Sequence, residues 1–253
     1  MSLSGPEASS RADADPAVLA VDVLTIFPDM FPGPLGDSIT GRALASGIVR
    51  MNAVDVRSFA TDRHRSTDDY PYGGGPGMVM RPEPLVAAVE SVRREGSRLI
   101  LLSPTGERFT QAHAHALAAA SHLVLVCGRY EGVDERVRMA TGAEELSIGD
   151  FVLTGGELAA MVVLDAVIRL LPGVLSSSEA WRDESHSFEG LLEYPQYTRP
   201  AEFRGLRVPH TLLSGHHAQV AAWRRREALK RTRDRRPELL SGEQLAELER
   251  SGD

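Results

Sequence analysis

The sequence is short of lysine and cysteine, and both shortages exclude chemistry. Of 28 basic residues only Lys230 is a lysine, and Arg231 follows it where a Walker A loop needs Ser or Thr. A lysine Schiff base would depend on that one side chain inside an arginine-rich stretch, which speaks against pyridoxal chemistry. The single cysteine, Cys127, cannot close an intramolecular disulfide, and a reducing compartment is expected. No apolar run reaches the ~18 residues that span a bilayer, so no membrane partner is expected. Residues 1–16 are small, polar and acidic instead of basic then apolar, which makes the cytoplasm the expected location. G-x-G-x-x-G, G-x-S-x-G, H-E-x-x-H and paired C-x-x-C motifs are absent, so the common nucleotide, hydrolase and zinc readings lose their support.

What is present is ordinary for a globular protein: 253 residues, 42% hydrophobic and 25% charged, enough for one large domain or two smaller ones. Charge is unevenly spread. Residues 199–236 carry ten arginines and Lys230 against Glu202, Glu227 and Asp234, while residues 1–198 carry 16 basic and 27 acidic residues. Clustered arginines inside an acidic chain fit a polyanion footprint, because phosphates reward them through counterion release. A solvated helix face is the competing reading.

From Val18 onward, apolar runs alternate with helical patterns. Strands are expected over Val18–Phe27, Ala53–Phe59, Leu99–Leu102 and Leu123–Cys127. Helices are expected over Ser38–Val49, Pro84–Glu95, from a Thr110 cap to Ser121, and Glu157–Leu171. Continuous apolar strands between helices imply an α/β fold with a mostly parallel sheet covered on both faces. After Pro172 the pattern is lost over 173–188, then returns as helices over Gly215–Arg233 and about Glu243–Arg250. The expected organisation is a disordered extension (1–17), an α/β domain (18–175), a linker (176–187) and a small helical domain (188–253).

Three polar or glycine-rich loops follow apolar segments: Ser103–Gly106, Gly128–Gly132 and Ser147–Gly156. Ligands of parallel sheets sit outside the carboxyl ends of strands, and glycines there admit close backbone approach. Each loop alone reads as a turn; three together point to a small-molecule site, with Ile148 and Leu153 against its flat faces. A fourth loop, Tyr72–Met78, suits a ligand or a crossover equally. In the linker, Asp183 and Glu184 stand beside Ser185 and His186. Either carboxylate, or His186, has the chemistry of a general base, although composition alone reads them as solvated charges. Cys127 ends an apolar strand and reads as core. His113 and His115, two apart on a helix, point different ways and make poor metal ligands.

LVCGRYEGVDERV and SIGDFVLTGGE (within Leu125–Glu157), LLEYPQYTRP (Leu191–Pro200), VPHTLLSGHHAQVAAWR (Val208–Arg224) and RTRDRRPELL (Arg231–Leu240) together resemble the bacterial tRNA (guanine-N1)-methyltransferases that act at position 37. DVLTIFPDMF and YPYGGGPGMVM agree, so the likeness runs in order over about residues 20–240. It implies an S-adenosylmethionine-dependent enzyme of the SPOUT superfamily, with a trefoil knot where the three loops meet, and an obligate homodimer whose sites draw on both chains. It implies cofactor contacts at Leu102, Ser103, Pro104, Gly128, Tyr130, Glu131, Ser147, Ile148, Gly149, Asp150, Phe151, Val152, Leu153, Gly155 and Gly156. Arg169 matches the family's arginine near the reacting groups. The family's general base is an aspartate followed by serine; counted without gaps from the Gly128 loop, that position is Glu184, one methylene longer, with Asp183 serving only under a register shift. Arg199, Arg224, Arg226, Lys230 and Arg233 are the residues expected to meet tRNA phosphates. The family's magnesium dependence is implied too, although the sequence offers no ligand cluster for Mg2+. Outside this reading stand a methyltransferase of the same fold acting on another RNA or on a ribose hydroxyl, an RNA-binding protein without catalysis, and an α/β protein whose basic helix is only a solvated face.

Overall fold

A computed structural model describes residues 19–175, 184–187 and 189–250; the expected extension at 1–17, Asp183 and most of the linker lie outside the described residues. The chain divides into two compact units, Met1–Ser176 and Ser177–Asp253.

The first unit runs β1 (Leu19–Thr25), α1 (Ser38–Ala45), β2 (Val49–Asp55), β3 (Asp68–Asp69), β4 (Val79–Met80), α2 (Pro82–Val92), β5 (Arg98–Arg108), α3 (Gln111–Ala118), β6 (His122–Cys127), α4 (Glu135–Thr141), β7 (Glu144–Ser147) and α5 (Gly156–Ile168). Five strands form one sheet in the order β2-β1-β6-β5-β7, every pair parallel. Alternation along the strands explains why both faces are apolar. Leu123, Leu125 and Cys127 of β6 join a cluster with Ala43 of α1, Leu117 of α3 and Leu164 of α5. Val124 and Val126 point the other way, onto Leu85 and Val89 of α2 and Val137 of α4. A strand buried on both sides must be apolar throughout, and β6 is buried at all six positions. The polar exceptions are partnered, as buried polar groups must be. Asp22 in β1 accepts from Asn52 Nδ2 at 2.9 Å and lies 2.9 Å from His122 Nε2.

The α/β reading with a parallel sheet therefore holds, while several boundaries move. The helix expected over Ser38–Val49 stops at Ala45, because Gly47 turns into the left-handed region at φ +77°. The strand expected over Ala53–Phe59 lies earlier, at Val49–Asp55. Val56–Phe59 is instead a 3₁₀ turn held by Asp55, whose carboxylate accepts the Arg57 N–H. Helix α4 and strand β7 escape the apolar-run criterion altogether. Asp134 caps α4 through the Arg136 N–H and Gly142 ends it at φ +68°.

The second unit contains the hairpin β8 (Glu202–Phe203) and β9 (Leu206–Arg207), then α6 (His210–Leu213), α7 (His217–Arg235) and α8 (Gly242–Arg250). Leu191, Tyr194, Trp223, Ala228, Leu229 and Leu248 form its core. Arg225 clasps Glu247 with two hydrogen bonds of 2.9 Å and reaches Glu189 at 2.7 Å, tying α7 to α8 and to the segment before it. Among the described residues no helix is long and apolar enough to cross a membrane.

Candidate active site

The sheet order sets β6, β5 and β7 side by side, so the segments that follow β6 and β7 meet the part of β5 beyond its last pairing with β6, at Leu102. Ser103–Gly106, expected as a loop, is a bulge inside β5: the register against β7 slips between Leu102 and Glu107, and the strand continues to Arg108. This bulge, the Gly128–Gly132 loop and the Ser147–Gly156 loop together line a cavity of about 330 Å³, within the range of small-ligand pockets. Two glycines make the convergence possible. A Cβ on Gly106 would stand 2.5 Å from the Leu146 nitrogen, and one on Gly156 would stand 2.8 Å from Cys127 Cα. Both neighbours are backbone and cannot swing aside. The Gly156 N–H donates to Gly128 O at 2.8 Å, which fastens the start of α5 onto the loop after β6.

Charge locks the same junction. Arg129 and Gly155 form an isolated antiparallel bridge, and the Arg129 side chain fills the space beside Gly155: a Cβ there would stand 2.2 Å from Nε. Arg129 Nε faces Glu157 Oε2 at 2.9 Å, too obliquely for a hydrogen bond, so the contact is Coulombic. Glu157 is fully buried, and the Thr25 hydroxyl donates to its other oxygen at 2.7 Å. The guanidinium also donates to Thr154 O at 3.2 Å and lies 4.5 Å over the Phe27 ring. Neither Arg129 nor Glu157 stands out in the sequence. The available signal was a glutamate opening a helix that is otherwise apolar as far as Leu164.

The glycine-rich Tyr72–Met78 loop is not a crossover: it joins the antiparallel pair β3 and β4 as a hairpin connection, and its end backs the site. The Glu131 N–H donates to Met78 O at 2.9 Å and the Met80 N–H to Gly132 O at 2.9 Å. Tyr130 adopts φ +61° on the cavity wall; partial burial and the neighbouring Asp68 carboxylate push its phenol up. Phe151, Val152 and Leu153 are exposed along the rim. Asp150 is the one cofactor-contact candidate whose residue does not line the cavity; its exposed carboxylate lies 3.6 Å from Arg108.

Cys127 sits beneath the cavity, fully buried. Burial, reinforced by the Glu157 carboxylate, pushes its thiol well up, against the pull of Arg129. The thiol is therefore inert in the folded state. Native protein is expected to resist iodoacetamide and to take up one equivalent only after unfolding in guanidinium; rapid labelling of folded protein would contradict the burial.

The remaining candidates lie elsewhere. Arg169 caps the far end of α5, whose 13 residues put it ~20 Å from Gly156. Glu184 begins a turn in the second unit: Ser187 N–H donates to its carbonyl at 3.1 Å, His186 N–H to Leu191 O at 2.8 Å, and Glu193 N–H to Ser185 Oγ at 2.9 Å. Arg226 and Arg233 are exposed on α7, Arg224 and Lys230 half-buried, and Arg199 is exposed ahead of the hairpin. Arg224 stacks 4.9 Å over Tyr194. Among the described residues no three His, Cys, Asp or Glu side chains are grouped to hold a metal ion, so the implied magnesium dependence finds no donor set there.

A parallel sheet in which two adjacent strand ends and a bulge of the strand between them close on one glycine-walled cavity fits the architecture of the SPOUT class of methyltransferases. The chain belongs to the tRNA (guanine-1)-methyltransferase TrmD family, whose model matches residues 19–242. It is 58% identical over 227 residues to the tRNA (guanine-N(1)-)-methyltransferase of Moorella thermoacetica, covering 88% of this chain and 90% of the relative. The enzyme of the same name from Geobacillus kaustophilus is 55% identical over 224 residues (88% and 91%). That from Geobacter sulfurreducens is 55% identical over 231 residues (90% and 94%). Such a family implies S-adenosylmethionine as methyl donor, and the cavity fits it: glycine crossings leave main-chain groups to meet an adenine edge, and apolar side chains flank the opening.

Proposed function

We propose that this chain methylates N1 of guanosine 37 in tRNA, and the observation that carries the proposal is the three-loop cavity. Leu102, Ser103 and Pro104, Gly128, Tyr130 and Glu131, and Ser147 to Leu153 with Gly155 and Gly156 would hold the cofactor, Asp150 through its main chain. When bound, S-adenosylmethionine supplies a methyl group already activated on a sulfonium. Guanine N1 carries a proton at neutral pH, so the protein must remove it as the N–C bond forms. Glu184 accepts that proton, and Arg169 faces the negative charge that grows on O6. The cavity walls and the grip on tRNA do the rest by holding donor and acceptor in line.

Two copies are needed. Arg169 stands at the opposite end of α5 from the cavity of its own chain, so a second copy brings it to the reaction. Leu158 and Val162, one turn apart on α5, are about half exposed, at 50% and 49%, and such a stripe supports a partner surface. The first unit is the cofactor-binding domain, residues 176–187 the tether, and residues 188–253 the tRNA-binding domain, with Arg199, Arg224, Arg226, Lys230 and Arg233 on phosphates.

The test is methyl incorporation into a transcript carrying guanosine 37 beside one carrying adenosine there; equal incorporation would refute the site. Neutralising Arg226 and Arg233 together is expected to weaken tRNA binding and to reduce its log–log salt slope by about 1 per charge removed. An unchanged slope would take those side chains off the phosphates.

A further inference from the structure

The hairpin β8–β9 is built to be seen. Glu202 pairs with Arg207 and Phe203 with Leu206, and the Val208 N–H closes the base onto Ala201 O at 3.0 Å. Arg204 and Gly205 form a two-residue turn with φ +52° and +79°, the positive values that tight hairpins require. Yet the side chains that this geometry pairs are apolar and open: Phe203 is 60% and Leu206 75% exposed, and neither belongs to the unit's core. Two strands alone are marginal in water. Presenting phenylalanine and leucine on them lowers solubility without adding to any core.

Charge indicates the occupant. Arg199, Arg204 and Arg207 stand in or beside the hairpin, and the single carboxylate, Glu202, is already bound to Arg207 Nε at 2.7 Å. The Arg204 guanidinium lies 5.2 Å over the Phe203 ring, which makes one flat, cationic, partly apolar platform. The segment also opens the stretch, 199–236, that holds ten arginines and Lys230. Flat apolar rings beside closely spaced negative charges describe unpaired nucleobases on their phosphate backbone, which proteins hold by stacking on aromatic and guanidinium planes.

We infer that the β8–β9 hairpin is an RNA platform, on which Phe203 stacks against an unpaired base while Arg204 and Arg207 meet the adjoining phosphates. This rests on the reading of the second unit as tRNA-binding. Phe203 is exposed, so its truncation leaves the fold and the cofactor cavity intact.

Equilibrium binding of an unmodified tRNA transcript tests it, with wild-type protein, Phe203→Ala, Phe203→Tyr and Arg204→Gln/Arg207→Gln. Phe203→Ala is expected to weaken binding about 5- to 100-fold with an unchanged salt slope, because stacking releases no counterions. Phe203→Tyr keeps the ring and binds as wild type, and the arginine pair flattens the slope. Cofactor affinity and thermal midpoint stay at wild-type values in all of them. Wild-type affinity in Phe203→Ala would overturn the proposal while leaving tRNA binding standing. Dissociation of Phe203→Ala into monomers would overturn it in favour of a second copy of the chain on the hairpin. Failure of the wild-type protein to bind tRNA would overturn this and the parent reading together.

Discussion

Glu184→Gln is expected to lose methyl transfer while keeping its cofactor. Glutamine matches glutamate in size and in acceptor geometry at one oxygen, but it cannot take a proton. The loss should therefore fall on kcat, by about 10²–10⁴-fold, the usual worth of a general base, with S-adenosylmethionine affinity unchanged. The turn that carries the residue survives, because its hydrogen bonds run through the Glu184 carbonyl, Ser185 Oγ and the His186 amide. Two companions make the result specific. Asp183→Asn should be silent, and Glu184→Asp should retain activity because it restores the family's shorter carboxylate. A dead Asp183→Asn beside a live Glu184→Gln would move the base by one residue. A ribose methyltransferase would tolerate both, since a hydroxyl on sugar does not need this carboxylate.

Glu157→Gln is expected to give the largest loss of stability in the first unit. The substitution leaves a guanidinium against a neutral amide in a site where Glu157 is fully buried and the Arg129 side chain only 18% exposed. Removing one partner of a buried pair costs about 3–5 kcal/mol, with the lower end apt because Arg129 keeps Thr154 O and the Phe27 ring. At roughly 2–4 °C per kcal/mol for a domain this size, the thermal midpoint should fall by on the order of 10 °C. Cofactor affinity should fall too, since the pair joins the Gly128–Gly132 loop to the start of α5. The effect should be strongly non-additive with Arg129→Met, because the second change removes the charge that the first strands. An unchanged midpoint in the single variant would mean that the charges are solvated and the junction is held by its backbone bonds alone.

The sequence made the centre of the sheet visible and left its edges obscure. β1 and β6 are buried on both faces, so LAVDVLT and HLVLVC show as nearly unbroken apolar runs. β7, at the edge, reads EELS, and two of its four residues are charged, so hydrophobicity could not find it. β5 looked four residues long because Pro104 and Gly106 read as a turn; the chain instead bulges there and resumes pairing. The three loops were legible because glycine after an apolar strand has a physical reason to exist. The Arg129–Glu157 pair was not, because its members are 28 residues apart and only the fold makes them neighbours. Arg169 shows a different limit: the role expected for it came from resemblance alone, and its place at the end of α5 remote from the cavity emerges only with the fold.

The central claim is that the three-loop cavity presents a methyl group to guanine N1 while the Glu184 carboxylate takes the proton. Nucleoside mass spectrometry of a guanosine-37 transcript, after incubation with the protein and isotopically labelled S-adenosylmethionine, tests it most directly. The account predicts one label per transcript, recovered as 1-methylguanosine from position 37. Label on a ribose, on another base, or none at all would contradict it.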